Sequence, residues 1–417
     1  MHIYFCGIGG VGIGPLAEIA HDAGYEVSGS DRARSQTTTE LEARGVTVSY
    51  DQSGANLRAV HTATPIDWFV YTASLPSDHA ELILAAQLGI KTAKRDELLN
   101  HIITDKKLRL IAVAGTHGKT TTTAMLVWTF QQLGIPVSYS VGSTLTFGLG
   151  GKFDPQSDYF IYECDEYDRN FLHFSPYVSV ITSIDYDHPD TYPTQAEYAA
   201  AFNQFIDQSM HTIIWERDTI INIHVPTGAW CLNDSEVMKF ALAGSHNRAN
   251  ATLAAKACEY LHVEPAEMVH AALDSFPGSS RRFEKLAENL YSDYGHHPAE
   301  IAATLQLARE VSDHVVLVYQ PHQNTRQHQV RSHYTSCMEL ADTIYWLPTY
   351  QTREDPNLPI LTPQELSATL KNRERVKYAE LDDSLWAAIQ TERQAGNLVL
   401  CMGAGTIDAW VRQNLTI

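Results

Sequence analysis

No two cysteines in this chain stand close enough to form a CxxC pair; Cys6, Cys164, Cys231, Cys258, Cys337 and Cys401 are scattered singly along it. That scatter argues against a disulfide scaffold or a structural zinc site and fits thiols kept reduced. No apolar run reaches the roughly 18 residues that a membrane-spanning helix needs, so no membrane partner is expected. Clustered Lys and Arg are missing too. With 30 Lys+Arg against 49 Asp+Glu the formal net charge is −19, whereas a nucleic-acid partner would call for a basic face. Short-period repeats and low-complexity tracts are absent. The opening MHIYFCGIGG has neither the charged n-region nor the long apolar h-region of a secretory signal, which agrees with the cytosol that the scattered thiols suggest.

What is present is an α/β pattern. A chain of 417 residues, 44% hydrophobic and 19% charged, is too long for one core. Strand-like and helix-like segments alternate, which predicts mostly parallel sheets. The strand–turn–helix pattern starts three times. HIYFCGIGGVGIGPLAEIAHDAGYEVSGSD begins the first unit, with WFVYTAS (68–74) a later strand of it. LRLIAVAGTHGKTTTTAMLVWTFQQLG (108–134) begins the second, which includes DYFIYECD (158–165), YVSVITSID (177–185) and a helix over 247–261. A third follows SFPGSSRRFE (275–284), with strands expected at HVVLVYQP (314–321), NLVLCMGAG (397–405) and, more weakly patterned, TIYWLP (343–348). The expected domains are 1–105, 106–277 and 278–417.

Two glycine turns follow apolar strands. At 115–121 the strict P-loop pattern fails, because Val113 stands where its first glycine belongs. A shorter loop remains: Gly115, Thr116, His117, Gly118, Lys119, Thr120 and Thr121. Small residues let backbone N–H groups approach phosphate oxygens at a helix N-terminus, Lys119 can offset phosphate charge, and the Thr120 hydroxyl can bind Mg²⁺. At 7–14, Gly7, Gly9 and Gly12 spell GxGxxG around Gly10 and Val11, and Asp31 closes the next strand at Rossmann-like distance. Alone, this second turn reads as NAD binding and an oxidoreductase, or as a plain packing turn.

ECDEYD (163–168) puts four acids at a strand end. Such a run is usually a solvated face, but beside a phosphate loop an acid at a strand end is a natural Mg²⁺ partner. In DYDHPDTY (185–192), His188 could hold a divalent ion as neutral imidazole. The adjacent histidines of SDYGHHPAEI (292–301) point to opposite faces in a strand-like stretch and make a poor metal clamp. They and QPHQNTRQHQ (320–329) read as substrate-positioning loops.

Together, GIGGVGIGPLA, SGSD, GTHGKTTTT, ECDEYDRNFLH, DHPDTY, GSHNRANA, FPGSSRRFE, DYGHHPAEI, QPHQNTR and MGAG resemble, in order and over nearly the whole chain, the Mur ligases of peptidoglycan synthesis. The resemblance implies three domains: a Rossmann-like domain for a UDP-sugar, a central P-loop ATPase domain with a mostly parallel sheet, and a Rossmann-like C-terminal domain for the amino acid. It implies ATP and Mg²⁺, with UDP-N-acetylmuramate and L-alanine as substrates, and a monomer or weak homodimer. Gly9, Gly10, Val11 and Gly12 would hold the UDP pyrophosphate, with Asp31 and Ser74 nearby. Gly115, Thr116, Gly118, Lys119, Thr120 and Thr121 would hold ATP, helped by Asn247, Asn250, Arg282 and Asp293. Thr120, Glu163 and His188 would bind Mg²⁺, and Lys119, Glu163, His188 and His297 would serve catalysis. His297, His322 and Arg326 would face the amino acid.

The implied chemistry is transfer of the γ-phosphoryl group to the lactyl carboxylate, followed by attack of an amine on the acyl phosphate. His297 is the candidate base. Hinges near 105 and 277 would allow closure around ATP. Gln323 stands where many alanine ligases have Arg, the segment 211–245 is short, and Tyr167 replaces a frequent Ser. The last feature is shared with a related ligase that recycles a murein tripeptide onto UDP-N-acetylmuramate, which is the second reading.

Overall fold

The computed structural model describes all residues except Val11, Ala73, Ser74, Thr144, Pro189, Asp190, Arg353 and Ile417, and the side chains of Ile220 and Ile221. The chain forms two compact units. The first holds residues 1–237 and 252–275, the second residues 238–251 and 276–417.

The first unit carries two sheets. Strands β1 (His2–Cys6), β2 (Glu26–Ser30), β3 (Thr47–Ser49), β4 (Trp68–Tyr71) and β5 (Lys91–Lys94) form a parallel sheet in the order β3-β2-β1-β4-β5. The order reverses at β1, so a crevice opens beyond its carboxyl end, where open α/β sheets bind ligands. Cys6 ends that strand, and the glycine turn follows. All five residues of β1 are buried, because helices cover both faces of a parallel sheet.

The second sheet comprises β6 (Arg109–Ala114), β7 (Ser138–Ser140), β8 (Gly151–Lys152), β9 (Tyr159–Glu163), β10 (Val178–Ile181), β11 (Thr212–Trp215) and β12 (Trp230–Leu232), ordered β12-β11-β10-β6-β9-β7-β8. Only β8 runs antiparallel to its neighbour. Here the reversal falls at β6, directly before the second glycine loop. One apolar cluster joins the two sheets: Ile3, Phe5, Leu98 and Ile102 belong to it together with Leu110, Phe160 and Phe202. Asp96 of the helix Arg95–Asp105 also accepts a hydrogen bond from the buried Tyr162 hydroxyl of β9. That shared core is why two sheets make one compact unit.

The second unit carries β13 (Glu284–Ala287), β14 (Leu290–Asp293), β15 (Val315–Tyr319), β16 (Thr343–Trp346), β17 (Val376–Tyr378) and β18 (Leu398–Met402) in the order β13-β14-β18-β15-β16-β17. All pairs are parallel except β13 with β14. The loops leaving β14, β18 and β15 therefore meet along one edge: Gly403 N–H donates to Asp293 O at 3.0 Å, and Gln320 N–H to Met402 O at 2.9 Å.

The strands expected from sequence are present, each shorter than its apolar run. Nine others, among them β3, β5 and β11, were not singled out. The helix expected over 247–261 spans Ser245–Tyr260, and its first turns belong with the second unit. Among the described residues no helix is long and apolar enough to cross a membrane.

Candidate active site

The loop after β6 is shaped by two glycines. Gly115 has φ +132°, and a Cβ there would lie 2.4 Å from Thr182 Oγ1 and 2.7 Å from Ser183 O, so no other residue fits without displacing β10's end. Gly118, at φ +87°, is the N-cap of the helix Lys119–Gln132, a left-handed conformation that glycine adopts at little cost. That helix has neither a side-chain cap nor an acid in its first turn, which suits an anion. Thr116 is tied down at both ends: its N–H donates to Ser183 O at 2.9 Å, and its hydroxyl lies 2.7 Å from Asp185 O and 2.8 Å from Tyr198 Oη. Thr121 sits part-exposed on the first helical turn.

Lys119 folds back over this loop. Its ammonium donates to Gly115 O at 2.6 Å and to Glu166 Oε2 at 2.8 Å. The next residue, Thr120, donates its hydroxyl to Glu163 Oε1 at 2.7 Å, and Glu163 Oε2 accepts from Gly142 N–H at 2.7 Å. Strand β9 runs beside β6, so its last residue, Glu163, reaches the helix start. His188, at φ +58°, brings Nε2 within 3.4 Å of Glu166 Oε1 and 3.7 Å of Asp187 Oδ2. Thus Lys119 and His188 converge on Glu166, while the next residue after Lys119, Thr120, pairs with Glu163. Glu166 was not among the expected site residues. Its signal was its place in ECDEYD, but spacing alone could not rank four acids.

Burial alone would raise the Glu166 carboxyl, but Lys119 and then His188 hold it below its ordinary value. Asp165 goes the other way, raised by burial and by Glu166. Burial pulls the Lys119 ammonium down, and Glu166, Asp165 and Glu163 more than restore it, so it stays protonated. The donor set at Thr120 and Glu163, hydroxyl and carboxylate oxygens beside a helix N-terminus, is the hard-oxygen chemistry that Mg²⁺ takes.

At the first glycine turn, Gly9 N–H donates to Asp31 Oδ2 at 2.8 Å, and Gly7 N–H to Ser30 O at 2.8 Å. A Cβ on Gly9 would lie 2.6 Å from Ser35 Oγ. Asp31 therefore fixes the shape of the turn that carries Gly9 and Gly10, and Gly12 lies two residues before the helix Gly14–Asp22. Val11 and Ser74 lie outside the described residues.

In the second unit, Asp293 Oδ2 and Oδ1 accept from Phe283 N–H at 2.8 Å and Gly295 N–H at 2.7 Å. Burial, opposed by Arg282, pushes its carboxyl up to about 6. The Arg282 guanidinium lies over the Tyr294 ring, 5.3 Å from its centroid. Asn247 Nδ2 donates to Ala243 O at 3.0 Å, and Asn250 is buried three residues further along the same helix face.

The paired histidines part company. His297 is the N-cap of the helix Pro298–Val311, its Nδ1 accepting from Ala299 N–H at 3.3 Å. His296 turns instead to Arg326, which donates to its Nε2, while Nδ1 lies 3.2 Å from Tyr294 O. Burial, opposed by Glu300 and reinforced by Arg326, lowers the His296 imidazole to about 4, so the neutral ring accepts from Arg326. His322 stands between His296 and Tyr350, with ring centroids 5.8 and 5.7 Å away. Glu354 closes this cluster, accepting from Asn324 N–H at 2.8 Å and Thr325 N–H at 3.0 Å. His296, Tyr350 and Glu354 were not anticipated; the last two come from a loop without a recognisable motif. Gln323, at φ +61°, precedes this helix.

Three family models match successive stretches of the chain: the Mur ligase family catalytic domain over 2–107, the Mur ligase middle domain over 113–228, and the Mur ligase glutamate ligase domain over 281–405. A UDP-N-acetylmuramate–L-alanine ligase of Nocardioides sp. is 33% identical, covering 98% of this chain and 94% of its own. The crystal structure of a UDP-N-acetylmuramate–alanine ligase from Thermotoga maritima superposes with a TM-score of 0.76 at 23% identity, over 100% of this chain and 98% of that one. A murein peptide ligase from Psychrobacter arcticus gives 0.63 at 22% identity, with the same coverage.

Proposed function

Because this chain belongs to the Mur ligase family of ATP-dependent, amide-bond-forming ligases, we propose that it joins L-alanine to the lactyl carboxylate of UDP-N-acetylmuramate in the cytoplasm, as a step of peptidoglycan synthesis. Family membership sets aside a nicotinamide-dependent oxidoreductase. The observation that carries the chemistry is the pairing of Thr120 with Glu163 at a helix N-terminus, one residue after a protonated Lys119. The choice of alanine is supported by the full-length likeness to an alanine ligase.

A lactyl carboxylate oxygen attacks the γ-phosphorus of ATP in line, the bond to the β,γ-bridging oxygen breaks, and ADP leaves. The product is an acyl phosphate. Lys119, released from Glu166 by the incoming phosphates, offsets charge on the transferring group, as positioned cations do in phosphoryl transfer. Mg²⁺ held by Thr120 and Glu163, and a second Mg²⁺ held by His188, would neutralise phosphate charge there. The amine of alanine then attacks the acyl carbon, and the tetrahedral adduct expels inorganic phosphate to leave the amide. The ammonium substrate must first lose a proton, and we assign its uptake to His297. Arg326 takes the substrate's carboxylate, the geometry for which a guanidinium is suited. The remaining assignments are Gly9, Gly10 and Gly12 to the UDP pyrophosphate and Asn247, Asn250, Arg282 and Asp293 to the adenine nucleotide. The working form is a monomer or weak homodimer.

The test is phosphate release with UDP-N-acetylmuramate, ATP and Mg²⁺ against a panel of amines that includes L-alanine and the murein tripeptide. Release should depend on all components and be fastest with L-alanine. Release driven only by the tripeptide would reassign the chain to the recycling reaction, and none with any amine would refute the proposal.

A further inference from the structure

A second cluster of ligand-type side chains lies in the first sheet, away from the phosphate loop. Cys6 ends β1, and His79 and Glu81 flank the start of the helix Ala80–Gln87. One ligand atom from each lies within 4.8 Å of the others. Cys6 and Glu81 have no exposed surface, and His79 is half-buried. His79 occupies the helix N-cap position, yet its side chain makes no capping bond. Its Nδ1 is buried and has no hydrogen-bond partner among the described residues.

The surroundings are those of an outer shell. Tyr4 Oη donates to Glu81 Oε1 at 2.8 Å and Ser30 Oγ to Oε2 at 2.5 Å. Gln52 Nε2 lies 3.6 Å from Cys6 Sγ and 3.2 Å from Ser30 Oγ. Such hydrogen bonds orient a metal-binding carboxylate and leave it lone pairs to give. None of the described ion pairs neutralises Glu81, and an uncompensated buried carboxylate is costly.

We propose that Cys6, His79 and Glu81 bind a thiophilic divalent cation of the Zn²⁺ type. Thiolate, imidazole and carboxylate are the ligands that ion takes, at about 2.0–2.3 Å. Tetrahedral bonds of that length place ligands about 3.3–3.8 Å apart, so the cluster closes by roughly 1 Å, which rotation of the half-buried His79 ring supplies. Binding releases the Cys6 thiol proton to solvent. One thiolate and one carboxylate then cancel the ion's two charges, with water filling the fourth position. The ion fastens the end of β1, immediately before the glycine turn, to the start of the helix Ala80–Gln87. This site differs from the one at Thr120 and Glu163 in using sulfur and in needing no nucleotide. The residues are far apart in sequence, which is why cysteine spacing gave no sign of it.

The test uses the full chain, reduced and stripped with chelator, titrated with Co²⁺ as a spectroscopic probe. A thiolate-to-cobalt charge-transfer band should saturate at one equivalent and be displaced by Zn²⁺. Cys6→Ser should abolish it, Cys231→Ser, at an exposed thiol, should leave it intact, and Tyr4→Phe should weaken affinity about 10–100-fold, as loss of an outer-shell partner does. Circular dichroism reports whether Cys6→Ser folds. If it does not, His79→Gln, at a half-buried position, should still remove the tetrahedral signature. No band at saturating Co²⁺, a band that survives in folded Cys6→Ser, or unchanged spectra in His79→Gln would overturn the proposal.

Discussion

The Lys119 ammonium lies 2.8 Å from Glu166 Oε2, and the Glu166 side chain has no exposed surface while that of Lys119 is 14% exposed. The loop's one lysine is thus kept charged by an internal carboxylate, at the position where family chemistry needs a cation. Lys119→Ala should lower turnover by at least about 10²-fold, the scale for losing one transition-state charge partner. UDP-sugar affinity, measured by calorimetry, should not change, because the first glycine turn lies on a different sheet. Equal loss of both would contradict the separation of the two sites.

Glu166→Gln leaves a buried ammonium without its main counter-charge and should cost about 3 kcal/mol of stability, near the low end for breaking such a pair. Denaturant unfolding measures it. The native Glu166 carboxyl sits below the ordinary glutamate value of 4.5. Its contribution is therefore complete above pH 4.5 and is lost as pH falls through the lower native value. The variant should show a shallower loss of stability in that acid window.

Asp293 gives the opposite sign. Its carboxyl is raised from 3.8 to about 6 by burial, so the native state binds the extra proton and this group's contribution declines as pH rises from about 3.8 to about 6. The decline should amount to about 3 kcal/mol, at 1.36 kcal/mol per pKa unit. Asp293→Asn should flatten that slope in a series of unfolding curves, and an unchanged slope would contradict the raised value.

Two substitutions separate the roles of the histidine–arginine cluster. Arg326→Lys removes the planar fork, and KM for the amino acid should rise about tenfold or more, ~1.4 kcal/mol, with KM for UDP-N-acetylmuramate unchanged. His297→Ala should lose about 1 kcal/mol of stability as a helix cap. It should also remove the acid-limb dependence of kcat on pH; an unaltered pH profile would leave His297 as a cap only.

Much of this was legible in the chain. Continuous apolar runs before glycine turns disclosed β1, β6 and β18, because strands buried on both faces have no polar alternation to blur them. KTAK (β5) and the three-residue TVS (β3) carry no such run, since edge strands need little apolar surface. TIIW (β11) is fully buried but too short for periodicity to separate strand from helix. The Thr120–Glu163 pair followed from adjacent motifs on neighbouring strands. Glu166 could not be ranked among four acids without the direction of each side chain, which depends on the turn that follows β9. Adjacent histidines were read as strand-like with opposed faces. They do diverge, but because His297 caps a helix and His296 stops before it.

Ligation with UDP-N-acetylmuramate labelled with oxygen-18 in its lactyl carboxylate tests the central claim most directly. If that carboxylate is phosphorylated by ATP before the amine attacks, each phosphate released carries a labelled oxygen, and no amide forms without ATP. Unlabelled phosphate, or amide formed at full rate in the absence of ATP, would contradict it.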